Sequence, residues 1–221
     1  MDRTLDRLWA GAEPRPGWKV SVTPDAAESE AGSADLTAAS DPDLVSACLA
    51  GRREAFDVIV ERHQRQVYHL CYRFVGNHEE ASDLAQDVFL RSYRALGGFK
   101  GTSAFATWLY RIGVNVCLNR MSAKGKTPRL GTLETVDPVD TRAERADARL
   151  LRGERAAEVR AAIAQLPNKQ RATLILRVYH ELPHEQIAGI LGSSVGAVKA
   201  NFFHALANLR KRLQPDASSP S

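Results

Sequence analysis

From residue 41 onward, apolar residues return every three or four positions with polar ones between them, in one segment after another. No stretch alternates with the period of two that a strand needs. The pattern predicts a first helix opened by Asp41-Pro42, with Asp41 as cap, and ended by Gly51. A long helix is predicted from Glu54 to Val75, with Phe56, Ile59, Val60, Val67, Leu70, Cys71 and Phe74 inward and Gly76 as its stop. Asn77 with Glu80 three positions later marks another start, and that helix runs to Leu96 before Gly97-Gly98. Its inward face holds Leu84, Ala85, Val88, Phe89 and Leu96. Ser103 is predicted to open the next, which reaches about Met121 with Phe105, Leu109, Ile112 and Val116 inward. After a break, a second helical set spans Ala156 to Leu213, with Pro167 and Pro183 each at a helix start.

The last helix, Ser193 to Leu213, raises a question of its own. Val198, Phe202, Ala205, Leu206, Leu209 and Leu213 fall on one stripe, enough to seat it on a core. The far side carries Lys199, Ala200, Phe203, His204, Ala207 and Lys211, so a second Phe sits among polar neighbours.

The fold class is therefore all-α, two small helical domains joined by a flexible linker. Residues 1–40 mix Gly, Pro, Ala, Ser and acids without a period and read as a disordered acidic arm. Residues 41–121 form the first domain, 122–155 the linker, 156–213 the second domain and 214–221 a disordered tail. Charge follows the same division. Residues 1–43 carry a net −5, whereas residues 159–213 hold eight basic and two acidic side chains, a net +6. A basic block behind an acidic arm points to a polyanion partner for the block, with a solvated basic surface as the alternative.

Hydrophobic content of 44% suits a globular chain. No apolar run is long enough to span a membrane and no signal pattern opens the chain, so a cytoplasmic protein is expected. Cys48, Cys71 and Cys117 are widely spaced among apolar residues and read as buried hydrophobes, neither a disulfide framework nor a zinc site.

Four constellations carry candidate chemistry. In HEQIAGILGSSVGAVKANFF, Ala188 is small where two helices cross, Gly192 suits a tight turn and Val198 faces inward, the spacing of a helix-turn-helix. Its outward Lys199, Phe203, His204 and Lys211 suit duplex DNA (phosphates, base edges and a thymine methyl), with a purely structural helical hairpin as the alternative. Trp108, Arg111 and Asn115 share a helix face, an aromatic, a cation and an amide that suit a single strand, or else a partly buried Trp with ordinary neighbours. Asp83, Gln86, Asp87, Leu90 and Arg94 form an outer face on which an exposed Leu either docks a partner or simply meets water. HELPH, His180 to His184, matches H-E-x-x-H, but Pro183 breaks the helix that a zinc hydrolase requires, so neither a catalytic nor a metal site is expected.

The whole order resembles the extracytoplasmic-function (ECF) branch of the sigma-70 family, its sigma-E-like members above all. DLVSACLAGRREAFDVIVERHQRQVYHLCYRFVGN, DLAQDVFLRSYRALGGFKGTSAFATWLYRIGVNVCLNR and LPNKQRATLILRVYHELPHEQIAGILGSSVGAVKANFFHALANLRKRL carry the likeness, QDVF and TWLYRI most specifically. The resemblance implies a transcription initiation factor, not an enzyme and without cofactors, that binds core RNA polymerase, reads two promoter elements and assists melting. The rival class is a stand-alone helix-turn-helix regulator. Asp83, Gln86, Asp87 and Leu90 would dock on the clamp helices of the β′ subunit, and the β flap is a further expected contact. Lys100, Gly101 and Ser103 in the loop GFKGTSAF, with Trp108, Arg111 and Asn115, would hold the −10 element. Ser194, Lys199, Ala200, Phe203, His204 and Lys211 would face the −35 element. An anti-sigma factor is a typical partner in the family. The chain departs from the family pattern at Ala200-Asn201 and at His204, where Ser-Arg and Arg are common.

Overall fold

The structure, a computed structural model, describes residues 36–124 and 146–214. The acidic arm up to residue 35, the middle of the linker and the tail after residue 214 lie outside them. The helices are α1 (Asp41–Leu49), α2 (Glu54–Val75), α3 (His78–Ala95), α4 (Phe105–Lys124), α5 (Ala146–Ala164), α6 (Asn168–Val178), α7 (His184–Leu191) and α8 (Val195–Leu213). A 3-10 turn, Leu96–Gly98, follows α3, and no strand occurs among the described residues.

Local chemistry sets most boundaries where the sequence places them. Gly76 takes φ 72° and donates its N–H to Tyr72 O, closing α2 in the left-handed conformation that glycine tolerates. Asn77 Oδ1 accepts from Glu80 N at 2.9 Å and opens α3. Two starts differ. Ser40, not Asp41, caps α1, its Oγ accepting from Asp43 N. Asp41 is drawn off by α2, accepting from Arg62 Nη1 at 2.5 Å and pairing with His63 Nε2 at 3.0 Å. Helix α4 begins at Phe105, two residues after Ser103, because Ala104 O is the first carbonyl to accept from the helix.

Residues 36–38, assigned to the disordered arm, are helical. Leu36 is buried in the core, and Arg62 donates to the carbonyls of Thr37 and Ala39. Helix also occupies residues 122–124 and 146–155 within the span given to the linker, the second of these close to Arg149, where the charged stretch is expected to turn helical.

Helices α2, α3 and α4 pack around one core that includes Ile59, Val67, Leu70, Phe74, Val88, Phe89, Leu109 and Val114. A Cβ on Gly113 would lie 2.8 Å from Leu70 Cδ2, so glycine here lets α4 close onto α2 and α3. Cys71 and Cys117 are buried and free, as expected, while Cys48 is half-buried. The α4 stripe is wider than the predicted one. Tyr110, Val114 and Cys117 are buried beside Phe105, Leu109 and Val116, and Ile112 is only partly covered.

In the second unit α6 lies at the centre. Arg171 through Leu176, six consecutive residues, are all buried. One face of a helix cannot supply six in a row, so α6 is covered on several sides. Leu174 packs with Val159, Ile163 and Ala205 of α5 and α8. Ala172, Ile175 and Leu176 belong instead to the core shared with α2, α3 and α4, as do Ile187, Ala188 and Ile190 of α7. The two units thus rest against each other.

Candidate nucleic-acid and polymerase interface

Three surfaces carry the residues singled out from the sequence. On α3, Asp83, Gln86 and Leu90 are exposed between the buried Leu84, Ala85, Val88 and Phe89. Asp87 is half-exposed and accepts from Arg91 Nε at 2.9 Å one turn on. Arg91 was not among the candidates, although its i, i+4 spacing from an acid makes it readable. The face is therefore a carboxylate, an amide, a neutralised ion pair and an apolar tip, suited to a mixed protein surface.

The second surface is the loop before α4 and the outer side of that helix. Lys100, Gly101 and Ser103 are exposed, and Gly101 has φ 69°, a turn that a side-chain-bearing residue resists. Arg111 and Asn115 project to solvent, whereas Trp108 is half-buried, its ring 5.5 Å from Phe99 and 5.4 Å from Phe105. One edge of Trp108 is fixed in an aromatic cluster and the rest is presented beside a cation and an amide. Trp108 is thus packed into the core on one side and left partly open on the other.

The third surface is the outward side of α8. Gly192 takes φ 57° and ends α7, and Ser194 Oγ accepts from Ala197 N to cap α8. Ser194 is thus first a helix cap. Val198 and Ala205 are buried, Phe202 and Leu209 half-buried. Phe203 is 69% exposed, in the company of exposed Lys199, Ala200, His204 and Lys211. Two predicted core residues are not in the core, since Leu206 is 43% and Leu213 39% exposed. Leu206 lies about 80° round the helix from Val198, outside the narrow strip that α5 and α6 cover. Leu213 lies in the final turn, where the covering helices no longer reach it. Leu206 extends the apolar surface of Phe203, and Arg210 stands two turns beyond Phe203 on the same side.

The two histidines of HELPH are set apart by the backbone. His180 precedes α7 and packs on Tyr110, whereas His184 begins α7 and faces Phe202. Among the described residues no group of three His, Cys, Asp or Glu is placed to hold a metal ion. Glu181 between them has φ 52°, which takes the chain off the helical path before Pro183.

The second and third surfaces are not equally open. A cleft between the two units has Lys100, Trp108 and Arg111 on one wall and Glu185, Gln186 and Gly189 of α7 on the other. Elsewhere between the units His180 Nδ1 lies 3.2 Å from Tyr110 Oη, and Arg73 sits 3.7 Å over the Tyr179 ring. Burial, then the nearby charges of Arg73 and His69, pushes the His180 imidazole down to about 3, and burial pushes the Tyr110 phenol up to about 12. Arg171, buried beside Met121, is lowered to about 10 by the same loss of solvent. Sequence periodicity registers no such contacts, because they join residues fifty to seventy positions apart.

Comparison with known proteins agrees with this anatomy. The family model for Sigma-70 region 2 matches residues 59–127, and that for Sigma-70, region 4 matches residues 156–209. The chain is 37% identical over 187 residues to the RNA polymerase sigma-H factor of Pseudomonas aeruginosa, covering 81% of this chain and 97% of that one. It is 32% identical over 183 residues to the ECF RNA polymerase sigma-E factor of Escherichia coli, covering 80% and 95%. Among solved structures, CnrH in complex with the cytosolic domain of CnrY is similar with a TM-score of 0.58 at 27% identity, covering 81% of this chain and 99% of that one. The sigma factor RpoE in complex with the anti-sigma factor NepR from Bartonella quintana shares the fold, with a TM-score of 0.57 at 19% identity, covering 73% and 98%.

Proposed function

The chain belongs to the extracytoplasmic-function sigma factors of the sigma-70 family, and we propose that its three exposed surfaces divide the work of initiation among them. The α3 face of Asp83, Gln86, Asp87 and Leu90 docks on the β′ clamp helices of core RNA polymerase. The loop residues Lys100, Gly101 and Ser103, with Trp108, Arg111 and Asn115, hold one strand of the −10 element. The α8 face of Lys199, Ala200, Phe203, His204 and Lys211 reads the −35 duplex, with Ser194 at its leading edge.

The observation that carries this reading is the split between Phe202 and Phe203. Adjacent residues of one type go to opposite fates, one half-buried against the unit and one 69% exposed on the second helix of a helix-turn-helix. An exposed Phe costs solubility with no return in a monomer, and on a groove-facing helix it meets a thymine methyl.

Strand opening needs no hydrolysis of a nucleotide. Unstacking costs a few kcal/mol per base, and a flipped base held by Asn115, with Trp108 and Arg111 along the strand, offsets it. The chain is then no enzyme itself, and the polymerase supplies the bond-forming chemistry. Its place of work is the cytoplasm, where polymerase and promoter are, and no described helix is long and apolar enough to cross a membrane. An anti-sigma factor is the expected regulator, in keeping with the complex of NepR with the RpoE sigma factor.

The reading is tested by mobility shift with the chain, core polymerase and a duplex carrying both elements. A complex resistant to polyanion competitor should form only when all three are mixed. A stable complex of equal specificity without polymerase would make the chain a stand-alone regulator.

A further inference from the structure

A cavity of about 360 Å³ lies between the units, distinct in its lining from the cleft beside Trp108 and from the three surfaces above. One wall is a single face of α2, where Gln66, His69 and Arg73 follow one another at helical spacing. Tyr110 of α4 and the segment between α6 and α7 form the rest. That segment is bent to reach it. Glu181 takes φ 52°, in the left-handed region that a side chain resists, and Leu182 N donates to Leu176 O at 3.1 Å, folding the chain back on α6. The turn brings His180 against Tyr110, with ring centroids 4.7 Å apart. The Arg73 guanidinium lies 3.7 Å over the Tyr179 ring, a stacking that fixes the plane in which its N–H groups lie.

The hydrogen bonds decide which chemistry the cavity suits. Tyr110 Oη donates to Gln66 Oε1 at 3.3 Å, so toward His180 Nδ1, 3.2 Å away, its oxygen is the acceptor and Nδ1 carries the ring proton. Nε2 of the ring, which burial holds neutral, is then a bare lone pair, buried without a hydrogen-bond partner among the described residues. A buried acceptor in that state calls for a donor. After burial itself, Arg73 and His69 are what weigh on the imidazole, so the charge that suits its surroundings is negative. Glu181 limits that charge, because its exposed carboxylate at the rim opposes a dianion more than a monoanion. A group with one negative charge, several acceptor oxygens and one O–H to give meets all three demands. We propose that the cavity binds a proton-bearing phosphate monoanion, free or at the end of a small ester, whose oxygens accept from Arg73 and His69 and whose O–H donates to His180 Nε2. The ligand touches both units, so its binding strengthens the contact between them.

Isothermal titration of the full chain at fixed ionic strength tests this with sodium phosphate, sodium sulfate and a phosphate monoester of glycerol. Sulfate has the shape of phosphate but carries no proton near neutral pH, so it leaves Nε2 without a donor. A site built around such a bond rejects the analogue that lacks it, and phosphate should bind at least about tenfold tighter than sulfate. Raising the pH from about 7 to about 8 should weaken phosphate binding severalfold, by up to about tenfold, because the ligand brings one proton with it. His180→Phe keeps a ring against Tyr110 and removes the lone pair, so the preference for phosphate should vanish. Tyr110→Phe keeps both rings and releases the tautomer, so the preference should narrow. Melting curves by circular dichroism show whether each variant folds. The ester separates the two sources: tighter binding than free phosphate assigns the rest of the cavity to an organic part, and weaker binding makes the free ion the ligand. Equal binding of phosphate and sulfate overturns the proposal, since surface cations alone would give it. So does a folded chain that binds no phosphate, or a preference unchanged in whichever of the two variants folds.

Discussion

His180 and Tyr110, seventy residues apart, meet with ring centroids 4.7 Å from each other and join the second unit to the first. The imidazole is held neutral there, since burial first and then the Arg73 guanidinium and the neighbouring His69 of α2 oppose a proton, while Gln66 and Tyr110 present neutral groups. Glu181, its exposed neighbour in sequence, is the one acid lining this site among the described residues.

This predicts an acid-sensitive contact. While the two units are in contact His180 takes its proton only near 3, whereas an imidazole freed to water takes it near 6.5. Parted units therefore bind protons that the joined units refuse, and the contact weakens as pH falls below the free value, with no change above it. Lowering the pH from about 7.5 to about 5.5 should weaken the contact by about tenfold. Small-angle scattering across that range checks it, with His180→Gln expected to abolish the dependence.

Asp87→Arg should weaken core polymerase binding at least tenfold while thermal stability hardly moves. The Asp87–Arg91 pair is exposed, and pairs of that kind contribute only about 0.3–0.5 kcal/mol. Titration against labelled core, alongside a melting curve, separates the two effects. An equal loss of stability would place Asp87 in the fold rather than at the interface.

Within the adjacent Phe pair the two substitutions should part company. Phe202→Ala should destabilise the second unit, by less than the roughly 3–5 kcal/mol of a fully buried Phe because Phe202 is only half-buried. Phe203→Ala should leave the melting curve nearly in place and weaken −35 binding at one base step. Lys199→Ala should weaken binding evenly across sequences and flatten its salt dependence. Measured melts and duplex titrations in the reverse pattern would mean that α8 is rotated from the phase described.

Much of this was legible in the sequence because it is local. Asn77, Gly76, Gly192 and Pro183 announce their helix ends through chemistry within four residues, and the stripe on α2 is a matter of period alone. What stayed hidden depends on distant partners. Leu206 has the spacing of a core residue, but α5 and α6 cover too narrow a strip to reach it. Asp41 has the chemistry of a cap, but Arg62 and His63 claim it. The helical faces of the three candidate surfaces could be drawn from periodicity and the loop from Lys100 to Ser103 from the family resemblance, whereas the placing of α7 across from Trp108 and Arg111 could not, because no pattern within either unit encodes how the units meet.

Asn115→Ala should reduce open-complex formation and relax preference at one −10 position. Asn115 is exposed, so stability should stay nearly level. Loss of a base contact costs about 1–3 kcal/mol, a change that permanganate footprints of the melted strand resolve. Footprints and base preference equal to wild type would leave Asn115 a surface amide.

Run-off transcription from a template bearing both promoter elements, with core polymerase alone and with the chain added, tests the central claim most directly. Specific transcripts should appear only when the chain is present, and Trp108→Ala and Phe203→Ala should each reduce them without unfolding the protein. Equal transcription by core alone, or a chain that binds the promoter yet blocks transcription, would contradict the assignment of an initiation factor.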